Sequence, residues 1–174
     1  MTTKNRAAAC LAPWVASALL LTIPSNSQST AHAAVAGAPF AALHGWWSGE
    51  GRLGFREGKV EAVKCRVTYR PGGTPDALAQ AIRCATPSGK VEITSNLTHA
   101  DGKLTGDWTE QVHNLSGKLD GEVTANGFRV TVASDQLKAR MEIIVRDGRQ
   151  VIEIQFDTSL LVGMTLLLQK GSAS

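Results

Sequence analysis

From Trp46 onward the sequence is divided, roughly every ten residues, by pairs suited to reversing the chain: Glu57-Gly58, Asp101-Gly102, Asn126-Gly127 and Asp147-Gly148. Asn-Gly and Asp-Gly supply the positive φ angles that two-residue hairpins require. Between the turns, apolar and polar residues alternate, as in strands with one dry and one wet face. No proline follows Pro87, so nothing in the second half forbids continuous pairing. Strands are predicted near 46–56, 60–70, 77–85, 90–99, 103–112, 115–125, 128–134, 137–146, 149–157 and 160–169.

A tight turn fixes register, and register decides which side chains share a face. Turning at Asp101-Gly102 sets Leu97 against Gly106 and Ser95 against Trp108, while Asp147-Gly148 sets Ile143 against Ile152 and Met141 against Ile154. Asn126-Gly127 sets Val123 against Val130, His113-Asn114 sets Trp108 against Leu119, and a three-residue turn at Glu57-Gly58-Lys59 sets Leu53 against Val63. Apolar faces meet throughout. The expected fold is therefore all-β, an up-and-down antiparallel meander over residues 45–170 that closes into a barrel of eight to ten strands. The leucine-rich segment 158–170 fits either a closing strand or a short helix.

Ahead of this domain lie Lys4 and Arg6, an apolar run from Ala7 to Ile23 broken by Pro13, and a polar stretch ending in Ala31-His32-Ala33. That order is the order of a cleavable secretory signal, read here as residues 1–33. The apolar run of about 17 residues with an internal proline is short for a transmembrane anchor, and none is expected. Residues 34–44 form an N-terminal arm and 171–174 a tail. A periplasmic or secreted location follows. Removing Lys4 and Arg6 with the signal reduces 18 basic residues to 16, against 15 acidic ones, which argues against a nucleic-acid partner.

Cys10 also leaves with the signal, so Cys65 and Cys84 remain as an even pair in an exported chain. Such a pair points to a disulfide before a metal site. With residues 71–76 as a loop, symmetric pairing sets Tyr69 against Gln80, Val67 against Ile82 and Cys65 against Cys84. Cross-strand neighbours lie within disulfide reach. A bridge between the second and third strands is expected, with both sulfurs on the apolar face.

The predicted inward face carries Trp47, Tyr69 and Trp108 beside several glycines, among them Gly49, Gly106 and Gly117. Interior glycines in strands serve bending and close backbone approach, or leave room for something else. Gln80, Ser95 and Glu110 fall on the same face. A buried carboxylate is costly, so Glu110 is expected near a mouth, beside a basic partner or against a ligand. On the outward face of the disulfide hairpin, Lys64, Arg66, Arg70 and Arg83 cluster, with Arg66 opposite Arg83. Like charges directly across a ladder repel, so this patch requires acidic neighbours or a bound anion, such as an envelope glycolipid or an acidic protein partner.

Gly45-Trp46-Trp47 at the start of the first strand resembles the Gly-x-Trp pattern of lipocalins, whose Trp plugs the closed end of the barrel. Leu104-Thr105-Gly106 and Leu115-Ser116-Gly117 are similar to strand openings of avidin-like proteins, and the two groups together are calycins. The resemblance implies a ligand-binding barrel with Trp47 facing inward beside Tyr69 and Gln80. The chain also looks like secreted proteins of alphaproteobacteria, which implies a compartment and no activity.

No nucleophile, base and orienting group can be assigned together, and His44 and His99 fall at the opposite end of the barrel from His113. An enzyme, a metal site and a cofactor are not expected. The leading expectation is an exported binding protein for a small apolar ligand, with Trp47, Tyr69, Trp108 and Glu110 lining the site. The alternative is a filled barrel acting on a protein or envelope partner, such as a secreted protease inhibitor working through its arm or loops.

Overall fold

In the computed structural model, which describes residues 38–158 and 160–172, Asp101 and Gly102 hold φ angles of 50° and 78°, and Asp147 and Gly148 hold 49° and 71°. These are the paired positive values of two-residue hairpins whose twist matches that of the strands they join. The signal expected over residues 1–33 lies outside the described residues. Ten strands follow in chain order: β1 (Gly45–Phe55), β2 (Val60–Pro71), β3 (Ala77–Thr86), β4 (Gly89–Ala100), β5 (Lys103–Glu110), β6 (Leu115–Thr124), β7 (Gly127–Ala133), β8 (Lys138–Arg146), β9 (Arg149–Phe156) and β10 (Leu161–Lys170). Each pairs antiparallel with its sequence neighbours, and β1 pairs with β10 to close the ring. Residues 161–170 are thus the closing strand.

The expected registers hold at the two Asp-Gly turns and across the disulfide hairpin, where Cys65 is bridged to Cys84. Three others differ by two residues. Val123 faces Phe128 instead of Val130, Trp108 faces Gly117 instead of Leu119, and Leu53 faces Glu61 instead of Val63. In the first case the ladder runs on to Thr124 opposite Gly127, so the chain reverses at Ala125-Asn126. In the second, the loop 111–114 takes its positive φ at Asn114, 56°. A slip of two preserves the side-chain period of a strand, so every residue kept its face.

Outward positions carry cross-strand polar pairs, including Arg129 with Glu122 at 2.7 Å and Thr98 with Thr105 at 3.1 Å. Inward, Gly49 and Gly117 stand where a neighbouring strand comes unusually close. A Cβ at Gly49 would strike the Leu167 carbonyl oxygen, and one at Gly117 the Ala133 carbonyl oxygen. These glycines serve closure of the barrel and do not create its internal space.

The two ends of the barrel differ. At the end carrying the 72–76, 101–102, 125–126 and 147–148 connections, residues 38–44 turn inward and bury Phe40 and Leu43. Phe40 stacks on Phe128, with ring centroids 5.9 Å apart, in one buried cluster with Trp47, Leu104 and Leu168. At the other end the same inward parity of the same strands gives half-buried side chains, among them Phe55, Ile93, Met141 and Phe156.

Candidate functional site

The half-buried apolar side chains surround a cavity of about 430 Å³. Leu53 and Phe55 of β1, Ile82 of β3, Ile93 of β4, Met141 of β8 and Ile154 and Phe156 of β9 line it. Ligand pockets for small molecules run from roughly 300 to 1,000 Å³ and are mainly apolar with a few placed polar groups. Here the polar groups fall into two levels. Gln80 and Ser95 stand deep, in register with Tyr69 and Trp108 across β2 to β5. Glu110, His113, Thr86 and Ser88 stand at the mouth.

Of the four residues expected to line a ligand site, the structure brings Trp108 and Glu110 to this cavity and places Trp47 and Tyr69 elsewhere. Trp47 is fully buried at the closed end, where its indole N–H donates to the Leu43 carbonyl at 2.6 Å. Lys170 sits over its ring, 5.5 Å from the centroid, and donates to the Ala42 carbonyl. Tyr69 donates its hydroxyl to Gln150 Oε1 at 3.1 Å, with both residues buried. Burial is the largest influence on that phenol and pushes its pKa up to about 12. Both therefore belong to the plug. The face was read correctly and the height along the barrel was not, because the plug comes from residues 38–44, which carry no strand periodicity.

Glu110 lines the cavity at the mouth, yet its oxygens are already occupied. Oε1 accepts from the backbone N–H groups of Glu92 and Val112 at 2.9 and 3.0 Å, and Oε2 accepts from the His113 N–H at 2.7 Å and from its imidazole Nδ1 at 2.9 Å. An ionised carboxylate only accepts, so the shared proton sits on Nδ1. Burial opposes ionisation here, but the three backbone donors and the imidazole outweigh it and hold the carboxyl at about 2. Glu110 thus fixes the 111–114 loop through its four donors.

The unfolded Glu110 carboxyl protonates near its ordinary 4.5 and the folded one near 2. The stability it contributes is therefore complete above 4.5 and is lost as the pH falls through about 2. Glu110→Gln is expected to lower the free energy of unfolding at neutral pH by roughly 1–3 kcal/mol, the cost of poorly satisfied buried donors. The variant should also have a flatter acid limb, which urea denaturation at successive pH values measures.

Sequence reasoning missed Glu61, which shares the inward parity of Val63 and Cys65. It is buried at the mouth, pairs with Lys59 and accepts from the Ser88 hydroxyl at 2.6 Å. The Lys59 contact is the main reason its carboxyl also falls to about 2. Glu61 ties the 87–88 connection to the 56–59 loop as Glu110 ties its own.

On the outer face, Arg66 lies opposite Arg83 as expected. The neighbouring side chains answer the repulsion: Arg83 approaches Glu92 at 3.6 Å, Lys64 pairs with Glu50 at 3.3 Å, and the Arg66 guanidinium stands 5.9 Å from the Trp46 ring centroid. Arg70 is exposed at the closed-end side of β2. His99 is engaged at the closed end with Asp76 and the Gly102 N–H. Among the described residues no group of three His, Cys, Asp or Glu side chains is arranged to hold a metal ion. Nor is any described helix long and apolar enough to cross a membrane.

No protein-family profile matches this sequence, and no curated protein matches it. Several solved structures share its fold, two of which follow. Rv2717c from M. tuberculosis aligns with a TM-score of 0.63 at 13% identity, covering 76% of this chain and 95% of that one. The S-type phycobiliprotein lyase CPES from Guillardia theta aligns with a TM-score of 0.56 at 10% identity, covering 78% of this chain and 92% of that one. The likeness is one of architecture: this chain forms a closed, ten-stranded antiparallel β-barrel.

Proposed function

We propose that this protein is an exported, non-enzymatic binding protein that holds a small apolar ligand in the open half of its barrel. The observation that carries the reading is the apolar cavity of about 430 Å³, open at one end and plugged at the other. A filled barrel acting only through its surface does not account for that space. Val112 and Leu160, 38% and 57% exposed beside the mouth, add an apolar rim over which such a ligand can pass. The Cys65–Cys84 bridge and the signal-like N-terminal sequence support export, since structural disulfides persist in oxidising compartments. The Gly45-Trp46-Trp47 pattern, with its inward Trp at the plugged end, supports a lipocalin-type relationship.

Titration of the purified protein with Nile red, fatty acids and isoprenoids, followed by dye and Trp fluorescence, tests the reading. Saturable binding is expected. Ala139 borders the cavity on β8 opposite Phe156, and Ala139→Phe places a ring in the ligand's space. That variant should bind Nile red at least about tenfold more weakly while remaining as stable as the parent, because it fills a void. Unchanged dye affinity in folded Ala139→Phe protein would reject the barrel interior as the site.

A further inference from the structure

The mouth and the floor of the cavity differ in charge. Charged side chains bordering it stand at the mouth: Glu110, saturated by four donors, and Lys90, which pairs with Glu92 at 3.4 Å. The floor is polar and uncharged. Cross-strand register sets Gln80 beside Ser95 and Ser95 beside Trp108, both Gln80 and Ser95 border the cavity, and Gln80 shares its amide with the Tyr69 hydroxyl on its other side. Ser95 is only 5% exposed, so the space in front of it is the cavity and not bulk solvent. Trp108 directs its indole N–H to the Lys118 carbonyl at 3.2 Å, away from competition for a ligand. An amide and a hydroxyl therefore stand at the bottom of an apolar well, with no Lys or Arg beside them among the described lining residues.

Resting on the apolar-ligand reading of this cavity, we propose that the ligand is a neutral amphiphile that enters polar end first. Its hydroxyl or carbonyl exchanges hydrogen bonds with Gln80 and Ser95, and its hydrocarbon part extends along Ile93, Met141 and Ile154 to the mouth. A carboxylate carried to the same depth loses its hydration and meets no cation, so anionic amphiphiles are disfavoured. A pure hydrocarbon gains the apolar contacts and offers Ser95 and Gln80 no hydrogen bond.

Dodecanol, dodecanoate and dodecane separate these cases at constant chain length, read by displacement of Nile red from the intact protein at neutral pH. Dodecanol is expected to bind about tenfold more tightly than either of the others, the effect of one or two buried hydrogen bonds. Ser95→Ala and Gln80→Leu should each weaken dodecanol by about threefold to tenfold and bind dodecane at least as tightly as the parent, which also shows that the variants are folded. Equal binding of all three compounds leaves the cavity reading intact and overturns the neutral-amphiphile inference. A dodecanol preference that survives both substitutions puts the polar end at the mouth and likewise overturns it. If none of the three displaces the dye, and the dye itself does not bind, the cavity reading falls and this inference with it.

Discussion

Trp47→Ala is expected to lower folding stability by about 4 kcal/mol, within the 3–5 kcal/mol typical of removing a large aromatic from a core. The indole is 0% exposed, bonded to Leu43 and roofed by Lys170, so the void left behind touches residues 38–44, β1 and β10 together. Relaxation into it is restricted because these segments are held in place by other contacts, including the Lys170 bond to Ala42 and the Phe40 stack on Phe128. Denaturant unfolding of the variant beside the parent measures the loss. The affinity of the folded fraction for Nile red should be unchanged, since Trp47 does not border the cavity. A loss of binding without loss of stability would return Trp47 to a ligand site.

The second large effect concerns the bridge between β2 and β3. Cys65 and Cys84 are separated by 19 positions, and closing a loop of that size removes chain entropy from the unfolded state worth about 3 kcal/mol. A small domain commonly has only about 5–15 kcal/mol in total. The double variant Cys65→Ala, Cys84→Ala should thus lose about 3 kcal/mol against the oxidised parent, and reduced parent protein should unfold near the same denaturant concentration. Coincidence of those two midpoints assigns the loss to the bond. If the double variant falls well below the reduced parent, packing of the two buried sulfurs accounts for the remainder.

The turns show how far local chemistry determines register. At Asp101-Gly102 and Asp147-Gly148 both central residues take positive φ, and pairing follows the sequence to the residue. At Asn126-Gly127 the same kind of dipeptide failed, because one more cross-strand pair, Thr124 with Gly127, forms before the chain reverses. Period-two alternation protects the face of each residue against such a slip, so the inward positions of Trp108, Glu110 and Phe128 were legible. Depth was not. Whether an inward residue lies in the plug or in the cavity depends on Phe40 and Leu43, which arrive from a segment without alternation. Gln150 illustrates the same limit: its inward parity beside Ile152 is visible in the sequence, and its bond to Tyr69 becomes visible only in the folded chain. The role of Glu110 escaped for a different reason, since its backbone donors at Glu92 and Val112 carry no side-chain signature.

The pairing of β1 with β10 makes the first strand of the barrel wait for the last. During synthesis, a chain that has reached β9 still presents two unpaired strand edges, and Gly49 and Gly51 still lack the β10 residues that lie against them. Free edges are templates for pairing with other chains. Completion of the ring thus waits for β10 to be made, and a product truncated before Leu161 would expose edges that the closed barrel does not show.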